Sequence, residues 1–282
     1  QFYNKKNAEM LKKKLLEYYD NRVTVTVVEM LESDDKDIKK FAEFLFEKDY
    51  KPYTAKQWNL KPEEIDPSVL KRVPIVLSYG DTYFYEKYEF IPENGFTQMF
   101  EKIIDYPGID VSLGIDALAH IKIDEKRQVV LYDGEVVSLI YTGAIDELFN
   151  YRYGVLPYRS LHFEFKSLNK NSFQNAAIVV YPQVEGFTRI TEYTKMPFQN
   201  GNGWTSVAYE YPVPYDKYSV IGNEPYYPVL TVNSLKIFEQ YKEYADRFKN
   251  LTLCGRLADF RYYNMDEVIF RALELYNSME VE

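Results

Sequence analysis

Apolar residues recur with helical spacing at the front of the chain. Ala8, Met10, Leu11, Leu15 and Leu16 follow Asn4, with lysines on the opposite face, which predicts a helix capped by Asn4. Val23 to Val28 has the composition of a strand. Yet Met30 and Leu31 carry the run into Glu32-Ser33-Asp34-Asp35, which reads as the end of one helix and the cap of another. Ile38, Phe41, Phe44 and Leu45 predict an amphipathic helix over Asp37 to Tyr50. Pro52, Pro62, Pro67 and Pro74 then predict short turns. From Ile75 the period falls to two. Tyr83-Phe84-Tyr85, Tyr88-Glu89-Phe90 and Ile109 to Leu113 read as strand pieces, and Phe96 to Ile104 as a short helix.

Farther along, Gln128 to Tyr141 predicts a hairpin, because Asp133-Gly134 separates two apolar runs. A short helix from Ala144 follows, an alternation typical of a nucleotide-binding α/β domain. Residues 158 to 230 alternate Tyr, Phe and polar positions, as an antiparallel sheet with one wet face would. Asn233 opens a helix, Leu251 to Cys254 forms a buried strand, and a last helix begins near Asn264.

Composition narrows the function classes. The 282 residues carry 34 basic and 43 acidic side chains, a net charge of −9, which argues against gripping nucleic acid through an overall field. One cysteine excludes an internal disulfide and fits a reducing, cytoplasmic compartment. Two histidines, far apart, make a His-based metal site an unfavoured choice. No apolar run is long enough to span a membrane. The chain opens on Gln1 and enters a charged segment at once, as a cut or processed protein would. Tyrosine is in excess: 28 residues, beside 18 Phe and 2 Trp, more than a plain core needs and suited to a wet cleft for ring-shaped or sugar-like ligands.

Several constellations could carry chemistry, each with a plainer alternative. Leu253-Cys254-Gly255-Arg256 followed by a helix start at Asn264 offers backbone N–H groups to an anion, or else is an ordinary cap with Glu267 at the third helical position. Tyr53, Trp58 and Arg72 could hold a base and a phosphate, or form an aromatic lid. Arg189 is either paired with Glu192 on a solvated face or aimed into a cleft. Glu224-Pro225-Tyr226-Tyr227-Pro228 presents two tyrosines from a stiff turn, and Tyr158-Arg159 sets an arginine beside aromatics.

Taken in order, Tyr53-Thr54-x-Lys56-Gln57-Trp58, Arg72-x-Pro74, Tyr83-Phe84, Ile91-Pro92-x-x-Gly95-Phe96-Thr97, Ile140-Tyr141-Thr142-Gly143-x-Ile145-Asp146, Tyr158-Arg159-Ser160-Leu161, Thr188-Arg189-Ile190-x-Glu192, Glu210-Tyr211-Pro212, Glu224 to Pro228, and Gly255-Arg256-Leu257-Ala258 to Tyr262-Tyr263-x-Met265 resemble the UDP-galactopyranose mutase family. The likeness is collinear from about Asp37 to Ala272. It implies a flavin-dependent isomerase that interconverts UDP-galactopyranose and UDP-galactofuranose, with N5 of reduced FAD as the nucleophile at the anomeric carbon. By family position Arg72 and Arg189 would be catalytic, clamping the pyrophosphate of the leaving UDP. Tyr53, Trp58, Arg72, Tyr83, Arg189, Tyr227 and Tyr262 would bind substrate. Gly255, Arg256, Asn264, Met265 and Asp266 would face the flavin. No metal is implied, and the partners are a UDP-sugar and, for assembly, a second copy in a homodimer.

The resemblance implies a mixed α/β (α+β) fold. Its parts are a helical domain over 1–72, sheet-domain strands and a helix over 73–104, a residual Rossmann-like piece of the FAD domain over 105–150, an antiparallel substrate-covering sheet over 151–232, and a return to the FAD domain over 233–282. The family's GxGxxG flavin segment is not in the sequence, which reads as an N-terminally shortened form. Asn59, Val76, Val179, Asn264 and Tyr193-Thr194-Lys195 also depart from the usual residues, and Val76 and Val179 bear on the sugar. Three alternatives are a non-catalytic sugar-nucleotide-binding module, a mutase for a related UDP-sugar, and a flavin-dependent amine oxidase relative.

Overall fold

The computed structural model describes residues 4–58, 74–77 and 87–279, with only the backbone of Gln57 and Trp58. Its chain divides into two compact units. One comprises Gln1–Glu101 and Phe163–Pro212, the other Lys102–His162 and Val213–Glu282.

In the first unit the Asn4 side chain accepts from the Asn7 N–H and starts α1 (Lys5–Tyr18). The run Val23 to Val28 splits as its chemistry requires. Thr24–Val25 is a short strand, β1, paired with β2 (Ile75–Val76). Thr26 then caps α2 (Val27–Leu31) in a full capping box with Glu29. Asp35 caps α3 (Lys36–Leu45), accepting from the N–H groups of Asp37 and Ile38. Leu15, Val25, Met30, Ile38, Ala42 and Leu77 form the core these elements share.

The expected helix of 37–50 runs on past its expected end. A π turn, Phe46–Tyr50, joins α3 to α4 (Lys51–Trp58), so Pro52 lies inside a helical rod rather than in a turn. Proline has no N–H to give to the helical ladder, which just before it runs in the π register, with the Lys51 N–H donating to the Phe46 carbonyl. Gln183 Nε2 donates to the Lys48 carbonyl on this rod at 2.9 Å.

Two expected strands are absent. Tyr88 to Phe90 and Ile109 to Leu113 belong to no strand among the described residues, and their apolar side chains are largely exposed. Alternation alone does not make a strand; its place in a sheet does. The Tyr83-Phe84-Tyr85 strand and the Pro62 and Pro67 turns lie outside the described residues. The helix expected at Phe96 is α5 (Gly95–Ile104).

In the second unit β3 (Ile121–Asp124), β4 (Val129–Tyr132) and β5 (Glu135–Val136) form an antiparallel meander. Asp133 and Gly134 turn the β4–β5 hairpin with φ of 49° and 87°, the two positive angles of a type I′ turn. β6 (Leu139–Tyr141) pairs in parallel with β12 (Leu251–Leu253), residue for residue from Leu139↔Leu251. Between them come α6 (Ile145–Leu148) and α7 (Val232–Ala245), the latter capped by Thr231, two residues before the expected start. Tyr241, Tyr244, Phe149, Phe248 and Phe260 fill the core here, so much of the aromatic excess is packing.

The expected antiparallel sheet has five strands: β7 (Tyr158–Leu168), β8 (Ile178–Val180), β9 (Arg189–Glu192), β10 (Thr205–Pro214) and β11 (Tyr227–Pro228), in the order β11-β7-β10-β9-β8. The last helix, α8 (Met265–Met279), begins directly after Asn264, whose N–H donates to the Glu267 carboxylate at 2.7 Å. The architecture is mixed α/β. No helix among the described residues is long and apolar enough to cross a membrane.

Candidate functional site

In the first unit, the register Glu210↔Arg189 sets the two side chains side by side across β10 and β9. Arg189 Nε and Nη2 each lie 2.7 Å from Glu210 Oε2. Glu210 is nearly buried, whereas about a third of the Arg189 side chain reaches solvent. Buried Thr188 adds its N–H and hydroxyl to the Glu210 carbonyl at 2.8 and 3.2 Å. The strand therefore presents a guanidinium braced on one edge by a carboxylate, a posture suited to an anionic ligand.

Glu192 is not the partner of Arg189. It is fully buried and accepts from the N–H groups of Phe173 and Gln174 at 2.8 and 3.0 Å, from the Thr205 hydroxyl at 2.8 Å, and from Lys195 at 3.2 Å. Burial alone would raise its pKa, but these bonds outweigh it and hold the carboxyl below the ordinary value. It clips the 173–174 loop to the sheet. Tyr53 is half-buried on α4, the helix that also carries Trp58. Val76 on β2 and Val179 on β8 are half-buried too. Arg72 and Tyr83 lie outside the described residues.

In the second unit three expected residues come together. The rings of Tyr227 and Tyr262 stack, with centroids 5.0 Å apart and planes 1° from parallel. The Arg256 guanidinium sits over both, 5.1 Å from the Tyr227 centroid and 5.4 Å from that of Tyr262. Its Nη1 donates to the Tyr226 carbonyl at 3.0 Å and its Nη2 to the Tyr263 carbonyl at 2.6 Å. Arg256 thus ties the β11 turn to the segment that leads into α8.

Gly255 has φ of +111°, a conformation that L side chains rarely adopt. Together with Thr142 it follows the carboxyl ends of the parallel strands β12 and β6, the end of an α/β sheet at which ligands bind. Asp259 Oδ2 accepts from the Gly255 N–H, the Tyr263 hydroxyl and Arg271 Nε at 3.2, 3.1 and 3.3 Å. Arg271 also donates to the Leu253 carbonyl at 3.1 Å. A shallow, open depression of about 580 Å³ lies along the start of α8, with Arg261, Tyr263, Asp266 and Arg271 in its wall. A glycine at a strand end, a pinned backbone turn and a helix start fit the phosphate or ring edge of a nucleotide cofactor. Met265 and Asp266 are exposed and Asn264 half-buried at that start.

Two residues outside the expected set emerge, and a third, Arg159, named only as an arginine beside aromatics, finds its place. Glu210 was legible only as part of a motif, and its role depends on strand register. Asp259 acts through a loop whose closure no periodicity reveals. Arg159 is buried opposite Tyr227 in the β7–β11 pair, where burial pushes its guanidinium pKa down. Among the described residues, no cluster of His, Cys, Asp or Glu could hold a metal ion.

The family model described as UDP-galactopyranose mutase matches residues 48–262, more than half of the chain. The chain is 34% identical over 254 residues to a UDP-galactopyranose mutase of Mycoplasma genitalium, covering 89% of this chain and 62% of that protein. It is 35% identical over 241 residues to a UDP-galactopyranose mutase of Mycoplasma pneumoniae, covering 84% and 59%. It is 33% identical over 245 residues to a dTDP-fucopyranose mutase of Escherichia coli, covering 86% and 62%. The chain spans about three-fifths of the length of the curated relatives it matches. By this match, and by the ordered motifs from Tyr53 to Met265, the chain belongs to the UDP-galactopyranose mutase family.

Proposed function

We propose that the intact protein is a flavin-dependent isomerase that interconverts the six- and five-membered ring forms of a nucleotide-linked galactose. The observation that carries this is the Tyr227–Tyr262 stack under Arg256, beside a glycine turn at the carboxyl ends of parallel strands. It sets two tyrosine rings and a fixed cation next to the Gly255 turn within one unit.

When bound, reduced FAD would supply the electron pair that takes up the anomeric carbon as UDP departs. The chain's own residues bind, orient and neutralise. Arg189 would face the pyrophosphate, and its contact with Glu210 would fix the guanidinium before the ligand arrives. Arg72, by family position, would be its counterpart. At a net charge of −9, local arginines must hold the phosphates, since the overall field repels them. Tyr53 and Trp58 on α4 would line the uridine pocket, and Tyr83, Tyr227 and Tyr262 would give hydroxyls to phosphate and sugar. Gly255, Arg256, Asn264, Met265 and Asp266 would hold the flavin. A homodimer and a cytoplasmic location belong to the same proposal.

A second reading is favoured by Val76 and Val179, which stand where polar residues are usual in the family, and by the dTDP-fucopyranose mutase relative. Both point to a related sugar or nucleotide. Competition by UDP, dTDP and their sugars, measured on the intact protein, separates these. Arg189→Ala separates the mutase from an amine oxidase relative. A severe loss of ring interconversion is expected for the mutase, and an unchanged rate contradicts it.

A further inference from the structure

Lys56 fastens α4 to the hairpin that carries Arg189. Its Nζ donates to the carbonyls of Tyr181, Val184 and Phe187 at 2.5, 2.5 and 2.8 Å. An ammonium has three protons, and here all three go to neutral carbonyls of one loop. Burial pulls the Lys56 pKa down, as expected for a cation drawn out of water.

That loop joins β8 to β9. The Tyr181 N–H closes it onto the Thr188 carbonyl at 2.7 Å, and the Tyr181 and Phe187 rings meet edge to face at 5.1 Å. Arg189 is the next residue. A second fastening lies on the same rod, where Gln183 Nε2 donates to the Lys48 carbonyl at 2.9 Å. Two side chains, one cationic with three bonds and one an amide with a single bond, thus dock the 181–187 loop on the α3–α4 rod. Charge-assisted bonds of this kind are the stronger ones.

We propose that Lys56 is a positioning residue for nucleotide recognition, holding the hairpin of Arg189 in register with the helix of Tyr53 and Trp58. Its protons are spent on the loop, so it acts through Arg189 rather than on the substrate. The inference rests on the proposed nucleotide-sugar function.

The test uses Lys56→Met, Lys56→Gln and Lys56→Arg in the intact natural protein, with UDP as the probe. Loss of these charge-assisted bonds in Lys56→Met is expected to weaken UDP binding about tenfold and to raise KM in parallel, with kcat at saturation changed by less than about threefold. Hydrogen exchange of residues 181–188 should speed up in the same variant. Lys56→Arg, which keeps a multi-donor cation, should recover part of both. If Lys56→Met does not fold, Lys56→Gln, with two N–H donors, should show the same direction with a smaller loss. UDP affinity within about twofold of wild type in whichever variant folds overturns the inference. So does weakened binding without faster exchange in 181–188. Wild-type protein that binds no UDP overturns the function itself, a result distinct from either.

Discussion

Arg189 and Glu210 face each other across β9 and β10, with both Nε and Nη2 of the arginine 2.7 Å from one carboxylate oxygen. The carboxylate is nearly buried and the guanidinium partly wet. An ion pair of this kind is a brace as much as a source of stability. Because Arg189 is about a third exposed, a double-mutant cycle of Arg189→Met and Glu210→Gln should give a coupling of only about 1 kcal/mol. Substrate affinity should fall far more than stability. Chemical denaturation and UDP calorimetry on the four proteins read both quantities.

Arg256 holds two carbonyls and covers two stacked rings, so a lysine cannot replace it. Arg256→Lys keeps the charge but loses the planar fork. A drop of about 1–2 kcal/mol in stability is expected from the lost hydrogen bonds, seen as a lower Tm. Retention of flavin by the intact protein, read from its visible absorbance, should fall as well.

At Gly255 the space for a methyl group exists, since a Cβ would meet Thr142 at an ordinary 3.7 Å. The backbone is what forbids it, with φ at +111°. Gly255→Ala should therefore cost about 1–2 kcal/mol through strain rather than clash. Thr142→Ser, which trims the neighbour, should not restore the lost stability. A melting series on the single and double variants checks this.

Glu29 gives a pH signature to the first unit. Hydrogen bonds from Arg22, together with the Thr26 N–H and hydroxyl, lower its pKa to about 2. A carboxyl with a depressed folded-state pKa contributes stability that is present above its unfolded value, near 4.5, and is lost as pH falls through about 2. The side chain is more than a third exposed, so solvent screening reduces the effect to about 1 kcal/mol or less. Thermal melts between pH 2 and pH 5 should show wild type losing its advantage over Glu29→Gln across that window.

Local rules made much of the fold legible. Asn4, the type I′ turn at Asp133-Gly134 and the start at Asn264 followed from side-chain chemistry that acts within three or four residues. Tyr88 to Phe90 and Ile109 to Leu113 alternate like strands yet join no sheet among the described residues, and only tertiary structure decides that. Pro52 stands inside a helical rod rather than in a turn, where a π turn at Phe46–Tyr50 leads into the helix and Gln183, distant in sequence, bonds the rod at the Lys48 carbonyl. The site divides the same way. Motif order singled out Arg189, Tyr227, Tyr262 and Arg256 as expected site residues, whereas the pairing of Glu210 with Arg189 depends on register, and Asp259 and Lys56 bond loop backbone that no local pattern reveals.

The most direct measurement follows the intact protein with UDP-galactofuranose, with its flavin reduced and with its flavin oxidised, using chromatography or NMR to separate the two ring forms. Interconversion to an equilibrium mixture in the reduced state alone, abolished by Arg189→Ala, is the expected result. Equal conversion in both states, or tight UDP binding with no conversion in either, would contradict a flavin-dependent mutase.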